Sequence, residues 1–132
     1  MKRLAVVFIF LLTGPLGFGE TNCAFQIFPN LNQMSREEAS ALGLRDASAD
    51  FSNGVYRIET YGLRSSTPNA EENYLKEHYG IQIHPIAACV VSSGILGHAD
   101  GYNSRMKDLL IQKFEHDVFK EARDAVTSAS GD

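Results

Sequence analysis

The chain has no tryptophan, only two cysteines in 132 residues, and no apolar run longer than nine. Each absence narrows what it can do. Without Trp it lacks the broadest ring for an aromatic platform under a sugar. There is no CxxC, HxxxH or HExxH, so the common zinc and metalloprotease spacings are missing. Lys and Arg nowhere cluster, which makes nucleic acid and anionic membrane surfaces poor partners. A membrane span takes about 20 apolar residues, more than any run here supplies. Internal repeats and low-complexity linkers are also lacking.

What is present starts with an export signal. Lys2 and Arg3 form a positive n-region, and Leu4 to Leu12 is the nine-residue apolar run. Gly14 and Pro15 break it, and Gly17-Phe18-Gly19 offers small residues at the −3 and −1 positions of a cleavage site. Residues 1–19 are therefore expected to be a signal peptide, and 20–132 one small domain of about 110 residues. A lipid anchor on Cys23 is disfavoured, because Glu20-Thr21-Asn22 is polar where such signals are small and apolar. Cleavage leaves 10 of the 12 basic residues against all 16 acidic ones, so the net charge moves from −4 to −6. Solubility explains that acidity. An even cysteine count in an exported chain is compatible with a Cys23–Cys89 bridge. Two unpaired thiols are the alternative, since Cys89 lies in the apolar run Ile86 to Val91.

Ala24 to Phe28 reads as a short strand or packed arm, ended by Pro29. Ser35-Arg36-Glu37-Glu38 is a capping box, and the short helix it opens is expected to stop at Gly43. Residues 45–54 read as loop, closed by the Asn53-Gly54 turn. Val55 to Leu63 is the clearest strand, with Tyr56, Ile58 and Thr60 on one face and Val55, Arg57, Glu59 and Tyr61 on the other. Asn69 caps a helix that Gly80 ends. Ile81 to Val91 is a second strand, with a bulge or an edge at Pro85 and with Cys89, Val90 and Val91 buried.

Ser92 and Ser93 open a helical or turning segment through Tyr102. Its glycines 94, 97 and 101 share one helical face, bare enough for another backbone to approach. Asn103 is expected to cap a further helix with Met106, Leu109, Leu110 and Phe114 inward. Asp117 caps a last one carried by Phe119, Ala122 and Val126. This order predicts an α+β fold: a two- to three-stranded sheet against three to five helices, or a βαβ unit if the strands are parallel. A thin sheet needs completing, by the 24–28 arm or by a second copy in a homo-oligomer.

The densest polar set is His98-Ala99-Asp100-Gly101-Tyr102-Asn103, read as a loop. His98, Asp100, Tyr102 and Asn103 are the candidate binding residues, facing a pocket with Tyr56, Tyr61 or Tyr79; a helix connection is the plainer reading. His84, Cys89 and His98 are ligand types within fifteen residues, but strand positions five apart diverge. A redox or metal role centred on Cys89 with His84 or His98 is the alternative. Glu71-Glu72 and Glu115-His116-Asp117 are explained by helix capping. No catalytic residue, metal site or cofactor is assigned.

From Tyr79 to Phe119 the chain resembles small bacterial exported proteins of uncharacterised function. The resemblance rests on Tyr79-Gly80-Ile81, Ala87-Ala88-Cys89-Val90-Val91, Gly101-Tyr102-Asn103 and Asp117-Val118-Phe119. It implies a bacterial source, hence the periplasm or the outside of the cell, and no particular activity. The expectation is an exported, soluble, non-enzymatic binding or interaction module with a protein or small-molecule partner.

Overall fold

A computed structural model describes residues 30–65 and 67–129. A single 3-10 turn, Leu31–Gln33, leads into helix α1, Arg36–Ser52. Strand β1 is Arg57–Tyr61, helix α2 Ala70–Tyr79 and strand β2 Gln82–Ala87. Helix α3, Ser93–Phe114, and helix α4, Val118–Ala129, complete the order. The strands pair in parallel, joined by α2 as a βαβ unit. The fold is α+β, with a two-stranded sheet packed on helices. Among the described residues no helix is long and apolar enough to cross a membrane.

The helix starts follow local chemistry. Ser35 Oγ accepts from the Glu38 amide at 3.2 Å, and Glu38 Oε2 accepts from the Ser35 amide at 3.1 Å. Asn69 Oδ1 accepts from the Glu72 amide at 2.8 Å, and Gly80, at φ 69°, ends α2. Asp117 Oδ1 takes the amides of Phe119 and Lys120, both at 3.0 Å. These satisfy donors that a helix cannot satisfy internally.

Three local readings are corrected. Helix α1 does not stop at Gly43, and residues 45–52 are helical rather than loop. Gly43 is buried in mid-helix: a methyl group there would sit 2.2 Å from the carbonyl oxygen of His98. It is small because α3 presses on it, not because the backbone turns. Residues 93–114 form one continuous helix capped by Ser92, whose Oγ accepts from the Ile95 amide at 3.2 Å. Asn103 lies inside that helix and caps nothing. The third concerns the end of β2. The strand closes at Ala87, and Cys89 and Val90 are exposed rather than buried, Val90 by 77%. Beyond the Gly62 amide bond to the Ala87 carbonyl, at 3.0 Å, the chain turns off the sheet toward α3.

The bare glycine face behaves as its spacing suggests. At Gly97 a methyl group would meet the Arg36 carbonyl oxygen at 2.2 Å, and Gly94 and Gly101 lie in the same row. The propensity loss of three helical glycines is offset by close backbone packing, of α1 at Gly97 and Gly101 and of the 3-10 turn at Gly94.

Around this pair lie two apolar clusters. The larger joins Leu75, Ile81, Tyr102, Met106, Leu110, Val118, Phe119 and Ala122. The smaller joins Leu31, Ala39, Ile86, Ile95 and Ala99. Of the four inward residues expected on α3, Met106 and Leu110 are fully buried, while Leu109 and Phe114 are half-buried. The bulge expected near Pro85 is also present. Thr60 pairs with Pro85 and Tyr61 with Ala87, so Ile86 is the extra residue. Proline offers no N–H to the ladder there. The arm at residues 24–28 and Cys23 lie outside the described residues, as does the signal segment.

Candidate functional site

Alternation along β1 sends Arg57 and Glu59 to one face of the sheet and Ile58 to the other. The two faces have different chemistry.

On the first face, two residues one turn apart on α1 meet two residues one turn apart on α3. His98 is fully buried between carboxylates from two elements. Its Nδ1 is 2.7 Å from Oε2 of Glu59, and its Nε2 is 3.1 Å from Oδ2 of Asp46. Burial disfavours the imidazolium, but hydrogen bonding and charge from Glu59 and then Asp46 outweigh it, so the His98 pKa is raised. One turn along, the Tyr102 hydroxyl donates to Oδ2 of Asp50 at 2.6 Å, and Arg57 Nε donates to the same hydroxyl at 3.0 Å. Arg57 also reaches Asp50 directly at 2.5 Å. Burial and the bond to Asp50 raise the Tyr102 pKa against the pull of Arg57, and the phenol stays protonated. His84 stands beside Glu59 in register. Burial and the charge of Arg57 lower its pKa, against Glu59 and Asp50.

Asn103 serves the same face differently. Its Oδ1 accepts from the Glu59 amide at 2.7 Å, and its Nδ2 donates to the Glu59 carbonyl at 2.8 Å. A side-chain amide thus occupies the outer edge of β1, where a third strand would bond.

The four candidate binding residues are therefore not gathered in one loop around a ligand. His98, Tyr102 and Asn103 point to α1 and β1, where their hydrogen bonds go to protein groups. Asp100 is exposed and pairs with Arg36 at 2.6 Å. Tyr61 is exposed, Tyr56 packs on Phe51, and Tyr79 bonds to Glu121, so none of the three joins His98 and Asn103 in a pocket. Sequence reasoning missed Asp46, Asp50 and Glu59 as partners. The signal was there in part: Asp46 and Asp50 are four apart, a helical repeat inside a segment read as loop.

A second polar cluster ties α2 to α4. Glu121 Oε1 accepts from the hydroxyls of Tyr74 at 2.7 Å and Tyr79 at 2.8 Å, and its Oε2 lies 2.8 Å from His116 Nε2. Those two hydroxyls hold the Glu121 carboxyl below its usual range, and burial and Glu121 push Tyr79 up to about 12. The hollow beside it, from His116 to Ser128, is lined by the α4 segment alone, so it is the flank of a helix rather than an enclosed site.

The opposite face of the sheet holds a second hollow. Ile58 and Ile83, partners in register, form its floor, and Leu75 from α2 and Phe119 from α4 form its walls. Its volume is about 250 Å³, and its rim carries Asn69, Glu71 and Glu72 from α2, Lys107 from α3 and Arg123 from α4. All six long elements except α1 contribute. The lining is thus mixed, four apolar side chains beside five polar or charged ones, and this gives the hollow both an apolar surface and ionic partners.

Cys89 is exposed and has no disulfide partner among the described residues, while both ring nitrogens of His98 face carboxylates in the interior. Among the described residues no group of three or more His, Cys, Asp or Glu is placed to hold a metal ion. Comparison with protein-family models, with curated proteins and with solved structures finds no match to this chain.

Proposed function

We propose that this chain is an exported, non-enzymatic binding module. Residues 1–19 direct it out of a bacterial cell, and the domain that remains takes a small molecule on the Ile58/Ile83 face of its sheet. The observation that carries this reading is the cavity itself: Ile58, Leu75, Ile83 and Phe119 from four elements line it together with the polar side chains Asn69, Glu71, Glu72, Lys107 and Arg123. The ionisable groups of the other face support a scaffold role, because Asp46, Asp50, Arg57, Glu59, His98 and Tyr102 are engaged with one another across α1, β1 and α3.

The test is solution NMR of the mature protein labelled at its isoleucine δ1 methyls, screened against a small library of neutral and charged apolar fragments. Saturable shifts centred on Ile58 and Ile83 are expected, with Ile95 and Ile111 unmoved. If no fragment moves Ile58 or Ile83 saturably, the reading falls. Export is checked separately by N-terminal mass spectrometry of native protein. A mature start within a few residues of Glu20 is expected, and Met1 on exported protein contradicts it.

A further inference from the structure

We infer that the ligand of this cavity is a small monocarboxylate with a compact apolar tail, aromatic or branched aliphatic; this rests on the binding reading above and specifies its chemistry. The tail follows from the floor and walls, because Ile58, Ile83, Leu75 and Phe119 offer no hydrogen-bonding side chain. A cavity of about 250 Å³ is smaller than the usual drug-sized pocket, so the tail is short.

The head group follows from which rim charges are already committed. Glu72 receives both Arg64 and Asn69. Among the described residues Lys107 has no carboxylate partner; its ammonium lies 5.6 Å from the centroid of the Phe119 ring. Arg123 is 3.9 Å from Glu71, too far for a hydrogen bond, so its donors stay open to an incoming anion. Glu71 is the one rim acid that opposes an anion, and it is the group a ligand carboxylate would supplant at Arg123. The uncommitted charge at the mouth is therefore positive. A carboxylate there meets a guanidinium and an ammonium while its tail covers Ile58 and Ile83.

The experiment compares 4-methylpentanoate and 3-phenylpropanoate with their primary amides, by isoleucine-methyl NMR and calorimetry on the mature protein. For ligands of this size a Kd on the order of 0.1–1 mM is expected for the acids. Their amides, equal in shape and uncharged, are expected to bind about tenfold more weakly. Lys107→Met, an exposed substitution that keeps an apolar contact for Phe119, should weaken the acids about tenfold and leave the amides unchanged. Acids and amides that bind equally well at Ile58 and Ile83 would overturn the carboxylate assignment and leave the cavity as a binding site. Binding by neither, together with no shift from neutral fragments, would overturn both.

Discussion

The side-chain amide of Asn103 on α3 brackets the backbone of Glu59 on β1, accepting from its N–H at 2.7 Å and donating to its carbonyl at 2.8 Å. The contact does the work of a neighbouring strand at one residue. A two-stranded sheet is marginal on its own. Here one edge is tied to a helix whose other faces pack on α1 and α4. The same residue, Glu59, carries the carboxylate that meets His98, so backbone and side chain of one strand position are both anchored to α3.

Asn103→Ala removes both bonds and leaves the Glu59 amide and carbonyl without them. A loss of about 2–3 kcal/mol is expected by urea unfolding. Asn103→Asp keeps the acceptor for the Glu59 amide but sets a carboxylate oxygen against the Glu59 carbonyl oxygen, so it should be no more stable than the alanine variant. An alanine variant with an unchanged midpoint would show that the bracket contributes nothing to stability.

Gly97→Ala tests the close packing of α1 on α3. In an exposed helix this change stabilises by about 1 kcal/mol. Here the added methyl meets the Arg36 carbonyl oxygen at 2.2 Å, so the helices must part. A net loss of at least about 2 kcal/mol is expected from thermal or urea unfolding. A more stable variant would mean that the helices do not touch there.

His98 makes stability depend on pH. Its folded pKa is raised above the ordinary 6.5, so the folded state binds the proton more tightly than the unfolded chain. The stabilisation is complete below about pH 6.5 and is lost as pH rises through the higher folded value. The groups against the ring set this balance: Glu59 from β1 and Asp46 from α1, with the Tyr102 ring stacked beside it on α3. Urea midpoints should fall from pH 6 to pH 9 in wild type, with a clearly smaller slope in His98→Gln. His98→Ala leaves Glu59, 2% exposed, without its counter-charge, and should cost about 3–5 kcal/mol.

Glu115 is the one non-glycine residue with positive φ, at 63°, among the described residues. It ends α3 in the left-handed region, which costs a residue with a Cβ about 1–2 kcal/mol. Glu115→Gly is expected to raise stability by about 0.5–1 kcal/mol. A fall in the thermal midpoint would place the strain elsewhere.

Cys89 is exposed, so iodoacetamide should modify it in the folded protein without reductant. Intact mass with and without reductant reads this directly. Protection that disappears on reduction would instead favour the bridged alternative, Cys23 with Cys89.

The legible parts of this protein were those set by short-range chemistry. The box at Ser35, the caps at Asn69 and Asp117 and the Gly80 stop each depend on a few neighbouring atoms. The alternation of β1 and the irregularity at Pro85 were equally local. Even the bare glycine face of residues 94–101 followed from spacing alone. The misread segments were those where tertiary contact overrode local preference. Residues 45–52, rich in Ser, Asp and Ala, stay helical because Ala47 is buried and Asp46 and Asp50 find partners on α3 and β1. Cys89 and Val90 look like buried strand by composition, but no element among the described residues covers them.

The sequence by itself therefore determined the α+β class, the alternation of helices with two strands, and Met106 and Leu110 as inward residues of the C-terminal half of α3. Only the tertiary structure decided what Gly43 and Asn103 are for, and which carboxylates meet His98. It also decided that Ile58 and Ile83 share one cavity with Phe119. Helix ends and strand faces depend on residues within four positions of one another. The cavity and the His98 cluster join residues tens of positions apart, and a pairing across that distance leaves no periodic trace in a single chain.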